Sequence, residues 1–575
     1  MVMKLALKQV PYGEPSWGYL REAGYAFVDK TRFIQALEQC GSRFPFIVRP
    51  RRFGKSLFAN MLIAYYDKAA AGGFDQNFSG TWIGEHPTQL ANKFLVLKFD
   101  FSGIDGGDGL IDNFIVKVKS GLDNFVTRYL PEDPQMQELL DASWTSPAAL
   151  LTSFFSLVQW KLRDGIYLII DEYDLLAQEF FSTDPERFRA MTGDDGFLKS
   201  FYACIKDVGA SGLVKRTFIT GVTSISLGSM ISGFNSITNI THDAEFAGMM
   251  GFTDDELRCL IPQVVDLDRY GHSVDEVFER MRVLYEGYRF SPHSDVTVFN
   301  SSMCLYYLMA LAKTNAEPGV LLDPSFSVDL SKIDGILSLG NKVEVESIVK
   351  DVLLDKPIES LGAFATLNRD ASSGLSMSNV LNALTFLGFL TFSPVGARRM
   401  ACPNRVLKDL FYRYWCWRFG NMMDFGFPVK RREIAIEALA AGDVRPILEL
   451  VSETLSRAVG VHAHVDETAI QFALAMALNT SAHYCVTLEE EALGVGFTDL
   501  MLKPSSENSD IPGWIIELKY VKKSETTEQI IEAKIAEAEE QLNRYSGAEN
   551  IKCIPNLRRV AAVFSGTALK GVKVF

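Results

Sequence analysis

Phe44-Pro-Phe-Ile-Val48, then Arg49-Pro-Arg-Arg-Phe-Gly-Lys-Ser56, then Leu57–Tyr65 is the stretch that decides the reading of the N-terminal half. An apolar run, a basic turn closing on Gly-Lys-Ser and a helical pattern give strand, loop and helix in that order. Gly54, Lys55 and Ser56 stand in the register of G-x-x-x-x-G-K-[ST], with Arg49 where the first glycine would be. That chemistry wants glycine where backbone N–H groups crowd a phosphate, a lysine reaching the β/γ-phosphates, and a hydroxyl on magnesium. The helix N-terminus adds favourable partial charge. Arg49 and Arg52 join these three as candidate nucleotide contacts. A bare Gly-Lys-Ser recurs often by chance and is weak alone.

Two more follow in order. Gly165-Ile-Tyr-Leu-Ile-Ile-Asp-Glu172 is an apolar strand ending in two carboxylates. Asp171 would hold magnesium through water and Glu172 would polarise the attacking water. Thr217-Phe-Ile-Thr-Gly-Val-Thr223 is another apolar strand whose terminal hydroxyls, Thr220 and Thr223, are placed to sense a γ-phosphate. With Phe94–Phe99 these make four buried runs separated by helical patterns, the mark of a parallel α/β sheet.

Several motifs now match one family in its order. Val10–Leu37, with Tyr25-Ala-Phe-Val-Asp29-Lys30-Thr31, precedes Arg-Pro-Arg-Arg-Phe-Gly-Lys-Ser, and Gly251–Leu257 and Tyr285–Ser291 follow. Over most of residues 10–310 the chain resembles the bacterial AAA-ATPase-like family. The resemblance implies ATP binding, and implies that arginine in place of the first loop glycine is normal. Ser301 departs from the family's Tyr-Asn-Pro.

The C-terminal 120 residues read as a helix at 467–478, strands near 484–488, 498–503 and 514–519, and a helix at 524–546. Asp499 is followed eighteen residues later by Glu517-Leu-Lys519, the spacing of PD-(D/E)XK nucleases. Period-two alternation puts Glu517 and Lys519 on one strand face. Asp499 and Glu517 offer hard oxygen ligands for magnesium or manganese, and Lys519 is placed to activate the attacking water. Glu467 on the preceding helix completes the acid set, with Glu491 as the alternative. The pattern is permissive alone, but the helix carrying Gln541 and Tyr545 makes it resemble the nuclease domain usual at the C-terminus of this ATPase family. Phe497 departs from the family's Gly-x-Gly-Arg-x-Asp, which leaves the metal ligands intact and weakens a phosphate contact.

The expected fold class is therefore α/β: a P-loop parallel sheet, a helical and winged-helix middle, and a restriction-endonuclease-like end. The expected boundaries are 1–265 for the P-loop domain, 266–374 for a helical region, 375–425 for a winged-helix-like module and 426–575 for the nuclease-like domain.

Composition bounds the rest. Of 575 residues, 47% are hydrophobic and 22% charged, a globular balance, and the net charge is −14. Bulk charge therefore does not coat nucleic acid, and any such binding needs a local basic surface. No run of 18 apolar residues suggests a membrane span. The N-terminus lacks a signal-peptide cleavage pattern, and eight scattered cysteines without C-x-x-C suit free thiols in a reducing cytoplasm. His462 and His464 lack a convincing third metal ligand. The aromatic run Phe411–Phe419 reads as a helix packed on both faces more readily than as a base-stacking surface.

The resulting expectation is an enzyme: a cytoplasmic ATPase using ATP and Mg2+, joined to a magnesium- or manganese-dependent nuclease acting on nucleic acid, DNA by preference. Family resemblance points to mobile-element or defence biology. The alternative is a non-cutting switch whose C-terminal domain binds nucleic acid or a protein. Oligomeric state cannot be derived from the sequence.

Overall fold

Strand β1 (Pro45–Val48) is buried at every position, as its uninterrupted apolar run requires. The computed structural model describes residues 7–575 apart from 105–106, 108, 194, 225–235, 324–329, 360–375, 397, 419–425, 459–464, 492–496, 506–509, 547, 553 and 555. Four further strands join β1: β2 (Leu95–Asp100), β3 (Ile166–Asp171), β4 (Val214–Gly221) and the short β5 (Thr238–Asn239). All pairings are parallel, in the order β2-β3-β4-β1-β5. The four runs read as strands are four of these five. β4 lies between β1 and β3, so the loop after β1 and the acids ending β3 sit at the same sheet edge, one strand apart.

Contacts divide the chain into two compact units, 1–341 with 359–403 and 342–358 with 404–575. In the first, helices cover the parallel sheet, and capping boxes at Thr253/Glu256 and Ser273/Glu276 start the helices Asp254–Val264 and Val274–Tyr285. β6 (Ile358–Glu359), β7 (Thr391–Phe392) and β8 (Arg399–Ala401) form a small sheet, β7 and β8 following the helix Met377–Phe386 as an antiparallel pair.

The second unit holds a mixed sheet in the order β13-β12-β11-β10-β9. Its strands are β9 (Tyr484–Glu491), β10 (Phe497–Pro504), β11 (Trp514–Val521), β12 (Arg558–Ser565) and β13 (Ala568–Val574). β11 pairs antiparallel with β10 and parallel with β12, and the helix Glu528–Tyr545 makes the crossover that a parallel pair needs. That helix buries Ala538, Leu542 and Tyr545 against Met501, Ile515 and Ala561. The helix Glu467–Asn479 is buried from Ala469 onward. The aromatic helix Arg405–Arg418 buries Leu410, Phe411, Tyr412, Tyr414 and Trp415, the packed reading, with Tyr412 and Trp415 against Phe472. His462 and His464 lie outside the described residues. Among the described residues no helix is long and apolar enough to cross a membrane.

Candidate functional site

The turn after β1 opens a pocket of about 560 Å³ in the first unit, walled by Arg51 to Phe58, Glu172, Phe27 and Val28, and Met249 to Phe252. Gly54 has φ 90° with open space around it, so the loop needs glycine there for its backbone angle and not for room. Arg52 is left-handed without being glycine (φ 71°), and so is Glu172 (φ 52°). Such angles persist where surrounding structure overrides their cost, and both fall on the pocket wall.

Lys55 is 5% exposed and its Nζ donates to the carbonyl of Pro50 at 3.0 Å. Burial pushes its pKa down, and Glu172, Asp171 and Asp174 push it back up. Asp171 is buried behind Ser56, whose hydroxyl it engages, and burial raises its pKa. Burial raises Glu172 as well, with Lys55 opposing. A cation, a hydroxyl and two carboxylates held short of full ionic comfort are a set that a magnesium-bound polyphosphate would satisfy.

Three expected contacts are placed differently. Arg49 is 1% exposed and not on the pocket wall. Its guanidinium donates to the carbonyls of Val48 at 2.9 Å, Thr241 at 2.7 Å and Phe246 at 2.9 Å, and lies 4.4 Å from the Phe290 ring centre. It fastens the end of β1 to the segment after β5 and does not face a phosphate. Because its backbone is not left-handed, no glycine is required there. Thr223 gives its hydroxyl to Asp174 at 2.6 Å and so does not project as a sensor. Thr220 is off the wall too, its hydroxyl buried with no protein partner. Arg52, Gly54, Lys55, Ser56 and Glu172 are brought together on the wall.

In the second unit the key feature is a fork. Among the described residues β10 and β11 pair only as far as Leu500↔Ile516, whereas β11 and β12 continue to Val521↔Ser565. Beyond the split, the β11 N–H groups on the β10 side need other acceptors. Asp499 Oδ2 takes the N–H of Leu518 at 2.7 Å, and Glu467 Oε2 takes that of Tyr520 at 3.1 Å. Between them Lys519 Nζ donates to Glu517 Oε1 at 3.0 Å. The four residues therefore converge on residues 517–520 of one strand. Of Glu491 no side-chain placement is described.

Glu517 is 2% exposed and, among the described residues, its Oε2 has no hydrogen-bond partner. Burial first, then Asp499, pushes its pKa up to about 7 against the opposing pull of Lys519. Burial works against the Lys519 charge, but Glu517, Asp499 and Glu467 outweigh it and raise its pKa. Among the described residues no three acid, histidine or cysteine side chains stand ready arranged around a cation. The donor set nonetheless fits a hard divalent ion, which needs only one or two carboxylates and keeps its own waters. The orphaned Oε2 is the acceptor such an ion would use.

Family comparison now applies to both geometries. Residues 11–231 match the model of a family described as predicted AAA-ATPase, and residues 465–573 match the PD-(D/E)XK nuclease superfamily. The chain thus carries an AAA-ATPase-like region and a PD-(D/E)XK nuclease-superfamily region. The chain is 26% identical over 333 residues to a protein encoded in the vnfD 5′ region of Azotobacter chroococcum mcd 1, described as uncharacterised; the match spans 57% of this chain and 56% of that relative. The ORC2 protein of Aeropyrum pernix, solved in ADPNP and ADP complexes, aligns at 12% identity over 67% of this chain and 92% of its own, with a TM-score of 0.27. The fold of the chain rests instead on its own strand order and register.

Asp174 lay beyond the sequence reading, and Tyr545 entered it only as part of the helix that carries the resemblance. Asp174 accepts from the N–H groups of Val222 at 3.1 Å and Thr223 at 2.6 Å, tying the end of β4 to the turn after β3. Its signal was its place three residues after Asp171. Tyr545 donates to the carbonyl of Phe497 at 2.8 Å and senses the charges of Glu517 and Asp499 after burial, which together raise its pKa.

Proposed function

We propose that this protein binds and hydrolyses ATP with Mg2+, and that its C-terminal unit cleaves nucleic acid, DNA by preference, using magnesium or manganese. The observation that carries the reading is the convergence of Glu467, Asp499, Glu517 and Lys519 on four consecutive residues of β11. Asp499 and Glu517, with Glu467, would hold the ion, and Lys519 would hold and orient the attacking water. A bound divalent ion supplies charge that offsets the negative charge developing on a scissile phosphate. In the first unit, Lys55 would meet the β/γ-phosphates, Ser56 and Asp171 the magnesium, and Glu172 the attacking water. The setting we favour is cytoplasmic, in mobile-element or defence biology, with the helical and winged-helix-like stretches 266–374 and 375–425 as the connection between the two chemistries.

A second reading has its own observation. Asp499, Glu467 and Glu517 already spend oxygens on β11 N–H groups and on Lys519, which also suits a non-cutting domain switched by ATP. A gel assay on linear, circular and single-stranded substrates, with magnesium or manganese and with or without ATP, separates the two. Cleavage should vanish in Asp499→Asn together with metal affinity. In Lys519→Ala it should vanish while metal binding stays near normal or tightens. Equal background cutting by wild type and Asp499→Asn in every condition rejects the nuclease.

A further inference from the structure

Phe497 opens β10, and its side chain is 60% exposed. Burial alternates along the strand: Phe497 exposed, Thr498 buried, Asp499 half-buried, Leu500 buried. Phe497 and Asp499 therefore point to one side of the sheet, two residues apart at the end of the strand, while Thr498 and Leu500 point to the other. The backbone under the ring is held, because Tyr545, itself buried in the core of this unit, donates to the Phe497 carbonyl at 2.8 Å. The backbone that carries the exposed ring is thus anchored at the start of the strand that bears Asp499 two residues on.

A phenyl ring offers a phosphate nothing, since it has no donor and no charge. What it offers is a flat apolar face with a π-system, and every nucleobase has a matching face. Duplex bases are already stacked on their neighbours, so an exposed ring gains a stacking partner only from an unpaired base. We infer that Phe497 is a stacking platform for an unpaired nucleobase next to the scissile phosphate, making the carboxylate site selective for single-stranded or locally opened nucleic acid. This inference rests on the nuclease reading above and names its substrate class.

The test uses the full chain in equilibrium binding at one fixed salt concentration. Labelled DNA and RNA single strands and a blunt DNA duplex are titrated with wild type, Phe497→Ala, Phe497→Trp and Phe497→Arg, and single strands carrying 2-aminopurine report stacking by quenching. Phe497→Ala is expected to weaken single-strand binding about 5- to 150-fold, the range for loss of one base–aromatic stack. It should abolish the quenching and leave duplex binding within about twofold. Phe497→Trp should keep both. Phe497→Arg should lose the quenching while binding duplex at least as well as wild type. Wild-type binding of single strands that Phe497→Ala leaves unchanged overturns this inference alone. Equal weakening on single strand and duplex also overturns it, as does a drop in oligomeric mass in Phe497→Ala, which would make the ring a protein contact. Wild type binding no nucleic acid overturns both this inference and the nuclease reading beneath it.

Discussion

Replacing Glu517 by Gln tests whether the carboxylate fork holds a charge it can ill accommodate without a cation. Glu517 is 2% exposed, and with Asp499 and Glu467 acting on it its pKa is pushed up to about 7 from an ordinary value of 4.5. The folded chain thus binds this proton more tightly than the unfolded chain. The associated stability is fully present below about pH 4.5 and is lost as pH rises through about 7. A rise of that size corresponds to about 3 kcal/mol. Gln keeps the shape and does not titrate. The difference in stability between Glu517→Gln and wild type should therefore grow by up to about 3 kcal/mol between pH 5 and pH 8.5, whatever constant offset the lost Lys519 ion pair introduces. The measurement is hydrogen exchange of β11 and β12 amides with chelator present, corrected for intrinsic rates at each pH, because a chain of two units has no single unfolding transition. Added magnesium at pH 8.5 should slow exchange in wild type and much less in the variant. Parallel pH profiles for the two proteins would refute the reasoning.

Arg49→Lys should destabilise the first unit by about 2–4 kcal/mol, since an ammonium cannot serve three carbonyls fixed by a planar guanidinium; thermal unfolding should show it, with ATP affinity of the folded protein changed little. Lys55→Ala should do the reverse, keeping the melting temperature within a few degrees while calorimetry shows ATP affinity falling at least tenfold. Asn300 accepts the N–H of Met303 at 3.2 Å as a helix cap and donates to the Arg51 carbonyl at 3.3 Å. Its replacement by Ala should cost about 1 kcal/mol by loss of the cap and weaken nucleotide binding through the loosened loop.

The strands of the first sheet were legible because buried parallel strands are continuous apolar runs: Ile166–Ile170 and Phe44–Val48 differ little from the observed β3 and β1. The order of those strands was not legible. That β4 lies between β1 and β3 is decided by packing across many intervening residues, which no local pattern records. Arg49 shows the same limit at one residue, since spacing puts it in the loop but the carbonyls that claim it come from Thr241 and Phe246, almost 200 positions away. At the C-terminal site, period-two alternation was enough to pair Glu517 with Lys519. The partners that Asp499 and Glu467 find on β11 depend on where β10 peels away, which alternation does not encode. The strand β12 was not among the runs read from the sequence, and its place beside β11 comes from the crossover helix.

The fork also bears on how such a chain ages. Asp499 and Glu467 fill in for missing strand partners, so selection for a folded sheet would preserve them in a lineage that had stopped cutting. Their survival is therefore a poor record of activity. Glu517 and Lys519 form a different case, because a buried ion pair can be exchanged for apolar residues of like volume at little or no cost in stability. A descendant relieved of the chemistry would be free to drift to such a pair, and one that still carries both is paying attention to something other than its own fold.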